Sequence, residues 1–260
     1  NRRSERTTRL YHRPFTISLT YQIMALTTTL VCYYSMSNGA LTTDALWTYN
    51  LTNTNSVTNT ASWKIGYGAD FWVTNTNSVL ETSSTFWFTT TNAFSLSLWV
   101  KMNTEIASGT QTFIGISQQG TQYSQFRIDY EYNGGSRRVR LGVNWGGGYV
   151  TVNNTITLWT STFHHLVLTY SGWTNWTITG YVNGTSIGTA TAAISGTALF
   201  TNVTQIGALT NNFYASAIID EVGVWGRELT SAEVTQLYNS GNWLTYPFTT
   251  ISNSAFFMFL

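Results

Sequence analysis

The sequence predicts an all-β chain, a two-sheet antiparallel jelly-roll sandwich with one short helix near the C-terminus. Three observations carry that reading. Apolar and polar residues alternate with period two along many short stretches, as in strands that bury one face. Gly- and Asn-rich turns separate those stretches, with 21 glycines and two prolines in 260 residues. Aromatic residues make up 15% of the chain and charged ones 9%, the reverse of the composition that keeps a chain disordered.

The elements follow in order. The run LVCYYSM (30–36) is strand-like and holds the single cysteine, Cys32, which has no intramolecular partner and is read as a buried structural thiol. Phe94, Leu96, Leu98 and Val100 alternate with Ser95, Ser97, Trp99 and Lys101, giving a two-faced strand. Phe126 to Tyr132 and Arg138 to Val143 flank Asn133-Gly134-Gly135-Ser136, a hairpin signal. His165 to Tyr170 pairs with Thr177 to Val182, and Asn183-Gly184 turns the chain into Thr185. Ser216 to Trp225 reads as a deep strand. Leu229 to Tyr238 breaks the alternation: cap-like Thr230, Glu233 three residues on, and Val234, Leu237 and Tyr238 on one face open a short helix that Asn239-Ser240-Gly241 ends. Strands at this spacing make a sandwich or jelly roll.

The stretches FSLSLWVK (94–101), FHHLVLTYSG (163–172), GYVNGTSIG (180–188) and above all IDEVGVWGRELTSAEVTQLYNSGN (219–242) resemble concanavalin A-like, laminin-G-type domains. LVCYYSMSNG (30–39) and KIGYGADF (64–71) resemble the opening strand and second block of that family, so the likeness covers 30–248. It implies a sandwich whose closing strand runs near the first and whose helical turn covers one end of the core. It also implies a Ca²⁺ ion at the sandwich edge. Asp220 matches the acidic residue of the closing strand, Asp70 in GADF matches another recurring acidic position, and Asp44 lies in the loop after the first strand. Oxygen ligands suit that ion; the alternative for each is a turn cap bonded to its own backbone.

Enzymatic chemistry finds little footing. Asp129 and Glu131 alternate in RIDYEY and share a strand face, as a retaining glycosidase pair would. The third acidic residue of the glucanase pattern on this fold is missing, and Arg127, Arg138 and Arg140 across the hairpin make a solvated charged face the simpler reading. Asp220 and Glu221 are neighbours and point to opposite faces of a regular strand. The same geometry keeps His164 and His165 from chelating one ion. A sugar-binding patch is the further candidate: Tyr130, Tyr132, Trp145 and Tyr149 supply flat rings, Arg137 a planar donor, with Tyr123 and Gln125 able to join; the alternative is cross-strand packing of the tyrosines.

Net charge +1 gives no footprint for nucleic acid or a polybasic membrane contact, and no run reaches the 18 apolar residues a membrane helix needs. Residues 1–23 carry five arginines against Glu5 and read as a basic arm or a segment translated upstream of Met24; thereafter seven basic residues face ten acidic ones. The domain proper is 24–248, and AFFMFL ends an apolar tail over 249–260. The expectation is a non-catalytic recognition module, extracellular on a cell or virion surface, that binds glycan or another surface polymer. The alternative is a subunit that assembles with copies of itself through its tails; a glycoside hydrolase comes third.

Eleven tryptophans is a high count, and their placement is odd. Trp47, Trp63, Trp87, Trp159, Trp173, Trp176 and Trp243 stand beside Ser, Thr and Asn where a turn glycine is expected. The expectation is a UGA triplet read as tryptophan in this sequence and as glycine in the cell, less so for Trp72 and Trp145. The alternative is an aromatic-rich sugar-stacking or assembly surface.

Overall fold

The computed structural model describes residues 26–61, 66–72, 77–82, 86, 88–89, 91–116, 125–145, 148–174, 176–191, 199–200, 204–209, 213–242 and 244–248. The basic segment 1–23, the tail 249–260, and Trp63, Trp87 and Trp243 lie outside the described residues.

The strands are β1 (Leu30–Tyr34), β2 (Leu51–Thr54), β3 (Thr58–Ala61), β4 (Tyr67–Phe71), β5 (Val79–Thr82), β6 (Phe88–Thr89), β7 (Phe94–Met102), β8 (Gly109–Ile116) and β9 (Gln125–Asn133). They continue as β10 (Ser136–Trp145), β11 (Gly148–Asn154), β12 (His164–Tyr170), β13 (Thr177–Val182), β14 (Thr185–Thr191), β15 (Leu199–Phe200), β16 (Thr204–Ile206) and β17 (Ala217–Trp225), followed by helix α1 (Ser231–Tyr238). One eight-stranded sheet runs β14-β13-β12-β7-β17-β4-β3, with β1 also paired to β17. The facing seven-stranded sheet runs β11-β10-β9-β8-β16-β5-β2, and β6 pairs with β15 apart from both. The antiparallel sandwich is the expected class, and the closing strand does lie against the first: Tyr33 pairs with Gly223 and Tyr34 with Val222.

Alternation builds the core. Leu96, Leu98 and Val100 of β7, Leu166 and Leu168 of β12, Val222 and Val224 of β17, and Ile128 and Leu141 of the other sheet bury together between the layers. Phe94 packs edge-on to Phe126 at 4.0 Å between centroids, and both meet Tyr170 at 5.3 Å. The hairpin turns follow their residues. Gly134 and Gly135 take φ of 60° and 85°, the two left-handed positions of a two-residue loop that closes Asn133 on Ser136. Cys32 is a buried free thiol, as expected.

The outer face of the eight-stranded sheet departs from expectation. Strand β7 is buried on both faces except at Lys101, which is half-buried, so its Ser95-Ser97-Trp99 face does not meet water. The helix, expected at one end of the core, instead covers this face. Val234 and Leu237 join Tyr33, Val167, Tyr181, Trp225, Leu229, Leu244 and Phe248 in a second apolar cluster. Tyr238 stacks on Trp99 at 5.7 Å and on His165 at 6.2 Å. A Trp and a His in alternating polar company were therefore a second buried layer.

The predicted capping box is present. Glu233 N–H donates to Thr230 Oγ1 (3.3 Å), Thr230 N–H donates to the Glu233 carboxylate (2.9 Å), and Arg227 pairs with Glu233 at 2.6 Å. Thr230→Ala is expected to cost about 1 kcal/mol, read as a melting temperature lowered by about 2–4 °C in thermal unfolding.

Candidate ligand-binding face

The hairpin β9–β10 turns alternate residues into the core and onto the outer face of the seven-stranded sheet. Tyr130 points inward. It is fully buried, its hydroxyl accepts the Leu158 N–H at 3.0 Å, and burial pushes the phenol above its ordinary range. Its expected place in a surface sugar patch is thus corrected: Phe126, Ile128 and Tyr130 share the core face with Val139 and Leu141, and strand parity put Tyr130 with them.

The rest of that patch does not converge. Tyr132 and Arg137 are directly paired at the hairpin mouth, the Arg137 guanidinium 5.8 Å over the Tyr132 ring. Arg137 is held there by Ile106 C=O (3.0 Å) and Glu105 (2.8 Å). Trp145 and Tyr149 lie at the far end, where β10 turns into β11, with Trp145 paired to Gly148 and Asn144 to Tyr149. Eight residues of strand separate Arg137 from Trp145, about 26 Å at the usual rise. Gln125 pairs with Asn144 at that far end, and Tyr123 lies outside the described residues, as do the side chains of Gln125, Trp145 and Tyr149.

Between the two ends, the outer face carries a ladder of charge. Asp129 is paired with Arg140 (2.8 Å) and Arg127 (2.9 Å) and accepts the Thr112 hydroxyl at 2.8 Å. Glu131 is paired with Arg138 (2.7 Å) and Arg140 (3.1 Å). Register explains the order: Glu131 sits opposite Arg138 and Asp129 opposite Arg140, so each carboxylate faces a guanidinium across the strands. The simpler reading of RIDYEY, acids balanced by arginines, is the observed pairing, but the face is not the solvated one expected: Asp129 is fully buried, and Glu131, Arg127 and Arg140 are largely so. Planar donors and acceptors in fixed alternation are the groups that replace water around a polyhydroxylated ligand.

The three calcium candidates separate as well. The Asp44 carboxylate accepts four backbone N–H groups, from Tyr33, Leu46, Thr48 and Tyr49, at 2.9–3.1 Å. That is the turn-cap alternative, and it leaves no oxygen turned toward an ion. Asp70 accepts the Asn103 amide at 2.7 Å. Asp220 is fully buried on the outer face of the eight-stranded sheet. Among the described residues, no three His, Cys, Asp or Glu side chains are close enough to share a metal ion. Asp44, Asp70 and Asp220 thus do not come together as one cluster.

Around Asp220 the sequence reading missed a feature. A β-bulge between Asp220 and Gly223, with Glu221 at φ 51°, breaks the alternation that was expected to point Asp220 and Glu221 apart. Glu221 N–H donates to Asp220 Oδ1 (2.9 Å), and the Tyr33 hydroxyl donates to the Glu221 carboxylate. Burial, then the neighbouring charge of Glu221, pushes the Asp220 carboxyl far above its ordinary range, and burial does the same for Glu221 against the opposing Tyr33 bond. Asp220 Oδ2 has no hydrogen-bond partner among the described residues. Nearby, His165 is buried, bonded to Ser97 Oγ at 2.8 Å, and desolvation drives its pKa down to about 3. Two acids inside an otherwise apolar strand were the signal for this buried pair, but a bulge cannot be read from spacing.

Two facing antiparallel sheets, a closing strand laid against the first, and a polar outer sheet face define a sandwich of the lectin and glucanase type. The chain belongs to the concanavalin A-like lectin/glucanases superfamily, whose laminin-G family model matches residues 73–235. Solved structures share the fold at low identity. Domain 4 of AbnA, a GH43 extracellular arabinanase from Geobacillus stearothermophilus in complex with arabinotriose, is 19% identical (TM-score 0.61), covering 81% of this chain and 98% of that one. The serotype G botulinum neurotoxin binding domain is 14% identical (TM-score 0.60) over 80% of this chain and 50% of that one. A heptameric pentraxin from Limulus polyphemus is 13% identical (TM-score 0.50) over 62% and 75%. No curated protein sequence matches. Among the described residues, no helix is long and apolar enough to cross a membrane.

Proposed function

We propose that the domain is a non-catalytic recognition module, secreted or displayed at a surface, that binds glycan on the outer face of the seven-stranded sheet. The carrying observation is the ladder Arg127-Asp129-Glu131-Arg138-Arg140, a fixed network of donors and acceptors on the outer face of the hairpin whose most open member is Arg138. Its carboxylates are committed to arginines, which suits holding a ligand better than moving a proton. The likeness to an arabinanase domain solved with arabinotriose supports the same ligand class.

Titration calorimetry against neutral oligosaccharides, arabinotriose among them, tests this. At least one should bind, and Arg138→Ala, which removes the most open guanidinium of the ladder, should weaken it about tenfold, the effect of one charge-assisted bond. Thr230→Ala, at the cap of the helix that covers the opposite sheet, should bind as wild type does. Binding by none of the panel, or equal binding by the Arg138 variant, overturns the assignment.

A further inference from the structure

The tryptophans fall into two populations. Trp99 and Trp225 are buried, the first stacked on Tyr238 and His165, the second donating its indole N–H to Leu26 C=O at 2.7 Å. By contrast, Trp47 is 77% exposed, Trp173 63%, Trp159 54% and Trp72 47%; Tyr67 is the one other large apolar side chain this exposed among the described residues. Among the phenylalanines whose side chains are described, none joins them.

Backbone conformation sharpens the division. Trp47 has φ 60° and Trp176 φ 53°, in the left-handed region where a Cβ crowds its own carbonyl and glycine is at ease. Other bulky residues are found there, but Met36 and Phe248 are fully buried and Phe213 is half-buried, so packing helps to hold their backbone in place. Nothing comparable holds Trp47. Its φ is set instead by the loop around Asp44, where Trp47 N–H donates to Asp44 C=O (2.8 Å) while the next two N–H groups reach the Asp44 carboxylate. That wrap needs the left-handed turn and makes no use of an indole. At Trp176 the same demand comes from a turn closed by its N–H on Gly172 C=O at 3.0 Å.

We infer that residues 47 and 176 are glycine in the protein its own cells make, through a UGA triplet read there as glycine. The exposed indole at 47 is then no stacking platform for sugar, the one at 176 is half-buried against the core, and ligand contact is left to the strand face. The inference stands whether or not the glycan reading holds.

Peptide mass spectrometry of the protein purified from its own cells tests it. Glycine at 47 and 176 with tryptophan at 99 and 225 is the expected result; tryptophan at 47 or 176 overturns it. A second measurement reads the backbone argument in the protein as written here. Trp47→Gly should raise the melting temperature by about 2–4 °C, whereas Trp47→Ala, which keeps a Cβ, should not. No rise with glycine, or an equal rise with alanine, counts against it.

Discussion

Raising the pH from about 6 to about 8 is expected to lower the stability of this domain by about 3 kcal/mol, a fall of about 5–10 °C in melting temperature. The cause is the Asp220–Glu221 pair. Both carboxyls are pushed up in the folded state, so the native protein keeps a proton that the unfolded chain, with ordinary carboxylate values of 3.8 and 4.5, has released. Where the native state binds more protons, stability falls as pH rises, by about 1.4 kcal/mol per pH unit for one proton. The pair shares its site with the Tyr33 hydroxyl, so one retained proton is the conservative count. His165 works in the other direction: its lowered value means stability falls as pH drops from about 6.5 toward 3, and His164, also lowered by burial, adds to that limb. A stability maximum near pH 6 follows. Asp220→Asn replaces a neutral acid with a neutral amide of the same shape and should flatten the alkaline limb. A wild-type curve level between those pH values would show the pair to be ionised, and a variant with an undiminished slope would place the retained proton on Glu221 rather than Asp220.

What could be read in the sequence divides along local and non-local lines. The Gly134-Gly135 turn, the Thr230–Glu233 box and the pairing of β12 with β13 depend on residues close in the chain, and each is where the pattern put it. The closing strand against β1 came from resemblance, since no local signal links Tyr33 to Gly223. Site residues fared differently because a side chain's direction depends on parity and bulges. Tyr130 went inward with its strand partners, and Asp220 and Glu221 were brought together by one extra residue. Tyr132 and Trp145 were close in the reading because both flank the same hairpin strands, yet a strand is long, and they lie at opposite ends of it. The burial of Ser97, Trp99 and His165 was hidden for another reason: the helix that covers them comes from 231–238, and composition says nothing about where a helix lands.

Asp129→Ala is expected to be the most damaging single substitution on the ligand face, costing about 3–5 kcal/mol. Its carboxylate is fully buried beneath the side chains it binds, and Arg127 and Arg140 are themselves only 12% and 14% exposed. Removing it takes a carboxylate away from two largely buried guanidiniums, of which Arg140 keeps its pair with Glu131, and takes the acceptor from the Thr112 hydroxyl. Glu131→Ala is the contrast. Its partner Arg138 is 30% exposed and can turn back to solvent, so a loss of about 1–2 kcal/mol is expected. Urea midpoints of the two variants read the difference directly. A Glu131 variant as unstable as the Asp129 variant would mean that the ladder is held from its open end. The ordering matters for binding as well as for folding. A face anchored at Asp129 keeps Arg140 rigid between two carboxylates while Arg138 stays free to adjust, so the anchored end fixes the geometry that a ligand meets and the open end supplies the contact that it gains.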